Sequence, residues 1–218
     1  MSHTKNVAIL IFNDVEVLDF AGPFEVFSIT GKRDGLEPFN VYTVAETAEP
    51  VLARNQFSVN PRYTFENCPK PGILLVPGGG GYTLDGKPYG TRREMHNAVL
   101  LDWVKQCAQQ TELLLSVCTG ALIFAQTGLL DGLSATTHHG AIENLRELAP
   151  QTKICPSDRI VDNGHLVLSG GISAGIDMSL YVVAKLLGQA QALETANYME
   201  YDWRHESLSV RSVLSDAR

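Results

Sequence analysis

Three short, almost wholly apolar runs constrain the fold more than any other feature of the sequence. They extend from Asn6 to Phe12, from Ile73 to Pro77 and from Leu113 to Val117. A strand without a polar face is buried on both sides, as in a parallel sheet that helices cover on both faces. Stretches of helical spacing alternate with these runs, at residues 91–110, 141–148, 173–187 and 189–201. The alternation predicts an α/β fold, namely a flavodoxin-like three-layer α/β/α sandwich with a mostly parallel central sheet.

Further strands are predicted around these runs. Residues 39–45 form the next strand of the sheet, and residues 51–60 form a short hairpin or edge segment. Ser134 to Thr137 is a short strand that leads to two histidines. Asn163-Gly164 separates two β-prone halves of residues 159–168, which is a strong hairpin signal.

The segment Ser116-Val-Cys-Thr-Gly120 interrupts the third apolar run, and helical spacing follows it. This pattern predicts a strand, a sharp strained turn at Cys118 and a helix, with backbone N–H groups close to the sulfur. Such groups stabilise a thiolate or an oxyanion. A buried structural cysteine has about equal odds from this segment alone, because free cysteine is among the most buried residue types.

Length and composition limit the classes of protein to consider. A chain of 218 residues without a break in composition is expected to form one domain, residues 1–203, with a C-terminal tail at residues 204–218. A net charge of −7 argues against nucleic acid as a partner, since a sequence-independent binder needs a basic face. No signal segment or long apolar run points to a membrane, so a cytoplasmic location is expected. The four dispersed cysteines predict reduced thiols.

Asp19 stands between Leu18 and Phe20, just before the Gly22-Pro23 pair that opens a helical stretch. A carboxyl group there is either the N-cap of the helix or a desolvated acid/base group. Spacing alone favours the cap.

The glycines at residues 78–81 suit either a tight turn or an anion site. Residues 81–87 also match the letters of a phosphate-binding loop. Pro88, however, stands where that loop needs Ser or Thr, so no nucleotide site is expected. Residues 81–90 form either a lid or a plain surface loop.

His138 follows a strand and is within possible reach of Cys118, although a structural histidine is equally plausible. The sequence contains no HxxxH or HExxH pattern, and this gives little support for a metal site.

Taken together, five motifs resemble the ThiJ/PfpI superfamily, a branch of the class I glutamine amidotransferase-like fold. They are Leu18-Asp-Phe-Ala-Gly-Pro23, Val76-Pro-Gly-Gly79, Ser116-Val-Cys-Thr-Gly120, Ala135-Thr-Thr-His138 and Gly170-Gly-Ile-Ser-Ala-Gly-Ile-Asp177. Their order and spacing match from about Val7 to Tyr201. The resemblance implies that Cys118 is a nucleophile on a strained elbow. It also implies that Gly79 and Thr119 supply backbone donors to an oxyanion-type site.

Two details of the resemblance indicate a branch. Peptidase-like members have a histidine directly after the nucleophile, where this chain has Thr119. Asp19 in its LDFAGP setting is similar to isonitrile hydratases. That branch implies attack of the Cys118 thiolate on an isonitrile, protonation by Asp19, and hydrolysis of the thioimidate by water that Asp19 and the Thr119 hydroxyl orient.

The same resemblance implies several further properties. The substrate is a small molecule in a pocket formed by Phe20, Gly80, His138 and Ile172, no metal or organic cofactor is required, and the protein is a homodimer. Glutaminase chemistry would need a nearby His and Glu pair, and only His205-Glu206 offers these letters.

Three alternatives remain at this point. One is a redox or ligand sensor with an exposed thiol of low pKa. Another is a glyoxalase, deglycase or amidase activity of the same superfamily. The third is a regulator with a helix-turn-helix region. About 17 residues follow Tyr201, far fewer than a DNA-binding domain requires, and this disfavours direct DNA binding.

Overall fold

A computed structural model describes residues 4–213. Its fourteen strands in this range are β1 (Lys5–Leu10), β2 (Phe39–Ala45), β3 (Val51–Ala53), β4 (Phe57–Val59), β5 (Tyr63–Thr64), β6 (Ile73–Val76), β7 (Gly80–Tyr82), β8 (Pro88–Gly90), β9 (Leu113–Val117), β10 (Ser134–Ala135), β11 (Lys153–Ile154), β12 (Ile160–Asp162), β13 (Leu166–Ser169) and β14 (Val210–Ser212). Its α-helices are α1 (Val17–Ile29), α2 (Thr91–Glu94), α3 (Ala98–Ala108), α4 (Gly120–Gln126), α5 (Ile142–Leu148), α6 (Ala174–Leu187) and α7 (Gln189–Tyr198).

The central sheet has eight strands in the order β14-β12-β13-β9-β6-β1-β2-β5. Every neighbouring pair is parallel except the hairpin β12–β13, which turns at Asn163-Gly164 as predicted. The three apolar runs form the central strands β1, β6 and β9. Their packed side chains are almost completely buried, because helices cover both faces of the sheet. The predicted α/β fold is therefore confirmed.

The helices pack in two groups. Helix α6 contacts both α1 and α7, whereas α4 contacts both α2 and α5. Strands β1, β6 and β9 are parallel, so their carboxyl ends lie at one edge of the sheet. Ligand sites of such sheets lie beyond this edge. The loop before α1, the glycines after β6 and Cys118 after β9 all leave the sheet there.

The helix predicted over residues 91–110 is interrupted. Helix α2 ends at Glu94, and α3 begins at Ala98 after Asn97 as its N-cap. The Asn97 Oδ1 accepts hydrogen bonds from the N–H groups of Val99, at 3.1 Å, and Leu100, at 3.3 Å. Because Asn97 is the N-cap of α3, the helix is broken between α2 and α3, and the prediction of one continuous helix was wrong.

We expect Asn97→Ala to lower the free energy of unfolding by about 1 kcal/mol, because two N–H groups of the first turn of α3 lose their acceptor. Urea denaturation measures this change. Gln106→Ala on the exposed side of the same helix is the matched control and should change stability by no more than a few tenths of a kcal/mol. Equal stability of the two variants would contradict the capping role.

Two predicted segments differ from the structure. The strand expected at residues 134–137 is reduced to β10, which pairs with β11 in a separate two-stranded sheet. The segment 204–218, expected to be a tail, contains β14, which pairs in parallel with β12. An ion pair of 2.6 Å between Arg211 Nε and Asp158 Oδ2 accompanies this pairing. A strand at this edge gives the outer backbone groups of β12 their partners. Residues 214–218 of the segment lie outside the described range.

Two short hairpins lie outside the central sheet. Strands β3 and β4 form the first, as predicted for residues 51–60. The segment 81–90 belongs to the second, in which β7 pairs with β8 and Leu84 is fully exposed at the tip. Between residues 4 and 213, no helix is long and apolar enough to cross a bilayer.

Candidate active site

Cys118 occupies a strained turn between β9 and α4. Its φ is +57°, a value that costs a residue with a side chain on the order of 1–3 kcal/mol. Two hydrogen bonds hold this conformation. The Cys118 N–H donates to the Gly170 carbonyl at 3.1 Å, and the Thr137 hydroxyl donates to the Cys118 carbonyl at 2.7 Å. The predicted elbow is therefore present, and residues from two other loops fix its backbone.

Glycines let the neighbouring loop approach this turn closely. A Cβ atom on Gly120 would lie 2.1 Å from the Val76 carbonyl oxygen, and one on Gly78 would lie 2.5 Å from the Thr119 nitrogen. Both distances are far below van der Waals contact. The end of β6 and the elbow therefore pack backbone against backbone, which explains the glycine of the SVCTG motif.

The Cys118 sulfur lies inside the protein, and only 5% of the residue is exposed. Burial and, to a lesser degree, the negative charge of Asp19 raise the pKa of the thiol to about 12. The N–H groups of Thr119 and Ile172 lower this pKa by hydrogen bonding to the sulfur. Ile172 has a φ of +34°, so it too is held in a strained conformation. The expectation of an exposed thiol with a low pKa was wrong, because the resting group is a neutral, buried thiol.

Asp19 is not the helix cap. Glu16 holds the N-cap position of α1, and Asp19 is the third helical residue, with no exposed surface. Its Oδ2 accepts a hydrogen bond of 3.0 Å from the Gly78 N–H, whereas its Oδ1 is buried and has no hydrogen-bond partner within residues 4–213. The favoured capping assignment was therefore wrong, and the desolvated carboxyl group is what the structure contains.

Burial is the main reason that the pKa of Asp19 rises to about 7, while the Gly78 N–H and the Cys118 thiol oppose the rise. Charge repulsion by Cys118 is not among the causes of this rise. Asp19 is thus protonated in a large fraction of molecules at neutral pH. The site pairs a neutral thiol with a carboxyl group that can either give or take a proton.

The two residues expected to supply oxyanion donors have other partners. The Gly79 N–H donates to the Thr119 hydroxyl at 3.0 Å, and this hydroxyl donates to the Thr91 hydroxyl at 3.0 Å. Both groups already hydrogen bond within the protein, so the prediction of donors from the Gly79 N–H and the Thr119 hydroxyl is corrected. The Thr119 N–H is at the sulfur as predicted, and the second donor there is the Ile172 N–H.

A pocket of about 200 Å³ opens at Cys118. Three residues predicted for a pocket line it, namely Gly80, His138 and Ile172. Phe20 does not, since it is 5% exposed and packs in the hydrophobic core. Sequence reasoning missed three charged lining residues, Glu16, Arg54 and Arg92. No motif distinguishes them from surface charges.

His138 forms a neutral wall of this pocket. Its Nδ1 accepts a hydrogen bond of 3.1 Å from the Gly140 N–H, and its ring lies 4.2 Å from the His139 ring. Burial lowers the pKa of His138, and the charges of His139 and Arg92 lower it further.

His205 lines a different pocket with Trp203, so the His205-Glu206 pair considered for glutaminase chemistry does not line the pocket at Cys118. Among residues 4–213, no group of three or more His, Cys, Asp and Glu side chains is placed to hold a metal ion.

Comparison with known proteins agrees with these motifs. The model of the DJ-1/PfpI family matches residues 5–185. An isonitrile hydratase of Pseudomonas putida is 33% identical, over 97% of this chain and 88% of its own length. A regulator of Pseudomonas aeruginosa, the HTH-type transcriptional regulator CdhR, is 28% identical over 78% of this chain, but the match spans only 51% of the regulator.

A solved structure gives the same result. The crystal structure of a ThiJ/PfpI family protein from Pseudomonas syringae has a TM-score of 0.79 and 28% identity, and the match covers 92% of this chain and 76% of that one. The motifs around Asp19 and Cys118 thus lie inside a match that extends over most of the fold. The chain belongs to the DJ-1/PfpI family.

Proposed function

We propose that this protein is an enzyme of the isonitrile hydratase type, which converts an isonitrile into an N-substituted formamide through a thioimidate on Cys118. The observation that carries the proposal is the buried pair formed by the Cys118 thiol and the Asp19 carboxyl group. The pocket is smaller than the 300–1,000 Å³ of sites for drug-sized ligands, which fits a small substrate. The similar isonitrile hydratase of Pseudomonas putida supports the choice of reaction.

In the first step, the neutral carboxyl group of Asp19 protonates the terminal carbon of the isonitrile. The Cys118 sulfur forms a bond to the same carbon, and the proton of the thiol passes to the Asp19 carboxylate. The product is the thioimidate R–N=CH–S–Cys118, and Asp19 is again protonated. As negative charge develops on sulfur, the N–H groups of Thr119 and Ile172 stabilise it. The raised pKa values of both groups suit this route, because the Cys118 thiol and the Asp19 carboxyl group are both protonated when it starts.

In the second step, water adds to the carbon of the thioimidate and the C–S bond breaks. Of the two hydrogens of water, one ends on nitrogen and the other on sulfur, so the thiol is regenerated and R–NH–CHO leaves. Asp19 relays these protons through its Oδ1, which no described residue engages in a hydrogen bond. The Thr119 hydroxyl holds Gly79 and Thr91 in place. The two steps consume one isonitrile and one water for each formamide formed.

The pH dependence tests the role of Asp19 as an acid. Since the active form is protonated and the pKa is about 7, we expect kcat/KM to be constant below pH 6 and to fall about tenfold per pH unit well above pH 7. Loss of the isonitrile and gain of the formamide proton are followed by NMR. Circular dichroism over the same pH range serves as the control for folding.

Two results would contradict the proposal. If several small isonitriles give no formamide, the proposed isonitrile hydratase activity is rejected. If kcat/KM instead rises as the pH increases through 7, Asp19 acts only as a base.

The alternatives are tested in the same assay. A sensor would oxidise at Cys118 without turnover, but a neutral, buried thiol reacts slowly with peroxide because the thiolate is the reactive form. A glyoxalase, deglycase or amidase activity would appear with 2-oxoaldehydes or amides as substrates. The superfamily resemblance also leads us to propose a homodimer, and analytical ultracentrifugation measures the mass of the assembly.

A further inference from the structure

The pocket wall contains an unpaired cation. Among the described residues 4–213, the Arg92 side chain has no hydrogen bond and no ion pair, and its Nε is buried without a partner. A buried donor on a charged group without an acceptor is costly, so its presence requires an explanation. The next residue offers a contrast. Arg93 donates to Glu94, Asp14 and the Asn13 carbonyl, and it does not line the pocket at Cys118.

The other charged groups of the pocket do not compensate Arg92. Glu16 is paired with Arg54, with 3.1 Å between Oε2 and Nη1. His138 is neutral, and Arg92 itself helps to lower the pKa of this histidine. Asp19 is largely protonated below pH 7. Below pH 7 the pocket at Cys118 therefore has a net positive charge, located on Arg92.

From this charge we infer that the substrate carries an anionic group, such as a carboxylate, that Arg92 binds while the reactive carbon lies at Cys118. The inference rests on the proposed function for the reacting group, but the anionic group is recognised independently of it. A guanidinium group suits this role because it offers several donors to one carboxylate. The small pocket places the anion within a few atoms of the reactive carbon. Recognition by Arg92 would then select short anionic isonitriles over neutral ones.

The test compares matched pairs of small molecules. Isocyanoacetate and isocyanoacetamide are the substrates, and their products N-formylglycine and N-formylglycinamide serve as ligands that cannot react in the first step. We expect the wild type to favour the carboxylate about tenfold or more, both in kcat/KM and in the dissociation constant from NMR titration. Arg92→Gln should reduce both ratios to about one. Arg62→Gln, which removes an arginine outside the pocket, is the matched control and should leave both ratios unchanged.

Binding and turnover separate the two proposals. If N-formylglycine binds through Arg92 but neither isonitrile reacts, isonitrile hydration fails and the anion site stands. If both isonitriles react equally well and Arg92→Gln alters neither ratio, the anion site is overturned and the proposed function stands. Thermal unfolding of each variant shows that it is folded, so lost selectivity cannot come from lost structure.

Discussion

Cys118→Ala is expected to reduce isonitrile turnover by at least ~10⁴-fold, because Cys118 supplies the one thiol among the described residues that line the pocket. The substitution keeps the Cβ atom, so it adds no strain to a backbone that already has a φ of +57°. The hydrogen bonds from the Cys118 N–H and to its carbonyl also remain. The variant should therefore fold normally while losing the reaction. Formamide production under single-turnover conditions measures the loss.

Cys155→Ala is the matched control, since Cys155 is also a free, buried cysteine but lies outside the pocket at Cys118. It should lower stability through lost packing and retain turnover. Mass spectrometry adds a direct observation, because an isonitrile should leave a thioimidate on the wild type and none on Cys118→Ala. Turnover by Cys118→Ala at more than a tenth of the wild-type rate would show that sulfur is not the nucleophile.

Asp19→Asn is expected to abolish turnover and, at the same time, to stabilise the protein. The amide cannot give a proton to the substrate or take one from the thiol, and removal of such a group costs about 10²–10⁴-fold in rate. The stability gain has a separate cause. A carboxyl group whose pKa rises from 3.8 to about 7 on folding makes the folded state less stable whenever the pH favours ionisation.

The sign of this effect depends on pH. Between pH 4 and pH 7 the folded protein keeps the Asp19 proton that the unfolded chain releases, so the stability of the wild type falls as the pH rises. We therefore expect Asp19→Asn to be more stable by about 2–4 kcal/mol at pH 8 and nearly equal to the wild type at pH 4. The asparagine carbonyl can still accept the hydrogen bond from the Gly78 N–H. Urea denaturation at the two pH values measures the difference.

Glu25→Gln provides the comparison, since Glu25 lies on the same helix but is exposed. Its stability should change little at either pH. A loss of stability in Asp19→Asn at pH 8 would mean that the ionised carboxylate is favourable in the folded state, and the proposed acid would then lack its physical basis. Together, the two measurements separate the contribution of Asp19 to chemistry from its cost to folding.

Several elements of the fold were predictable because their patterns are local. The unbroken apolar run of β6, and the nearly unbroken runs in β1 after Asn6 and in β9, require burial on both faces. Asn163-Gly164 specifies the turn between β12 and β13. The break at Asn97 was missed although its residue type is a common N-cap. The helical periodicity of the apolar residues continues across it and hides the cap.

The site was predictable to a lesser degree. The order of motifs identified Cys118, Asp19, Gly80, His138 and Ile172, and these residues do meet around one turn or its pocket. The resemblance placed Phe20 in the pocket, but successive helical residues point in different directions, and Phe20 packs in the core although it follows Asp19. The sensor alternative required the Cys118 thiol to be exposed. The loops after β6 and before α6 cover it instead.

The sequence by itself determined the order of the functional residues along the chain: an acid near the first helix, glycines after one apolar run, and a cysteine at the end of the next apolar run. These features follow from residue type and local spacing, which a linear pattern records. Only the tertiary structure decided the protonation states and the charge of the pocket. Burial shifts the pKa values of Cys118 and Asp19, and neighbouring acids neutralise Arg93 but not Arg92. Desolvation and ion pairing depend on residues that are distant in sequence, so no local pattern contains them.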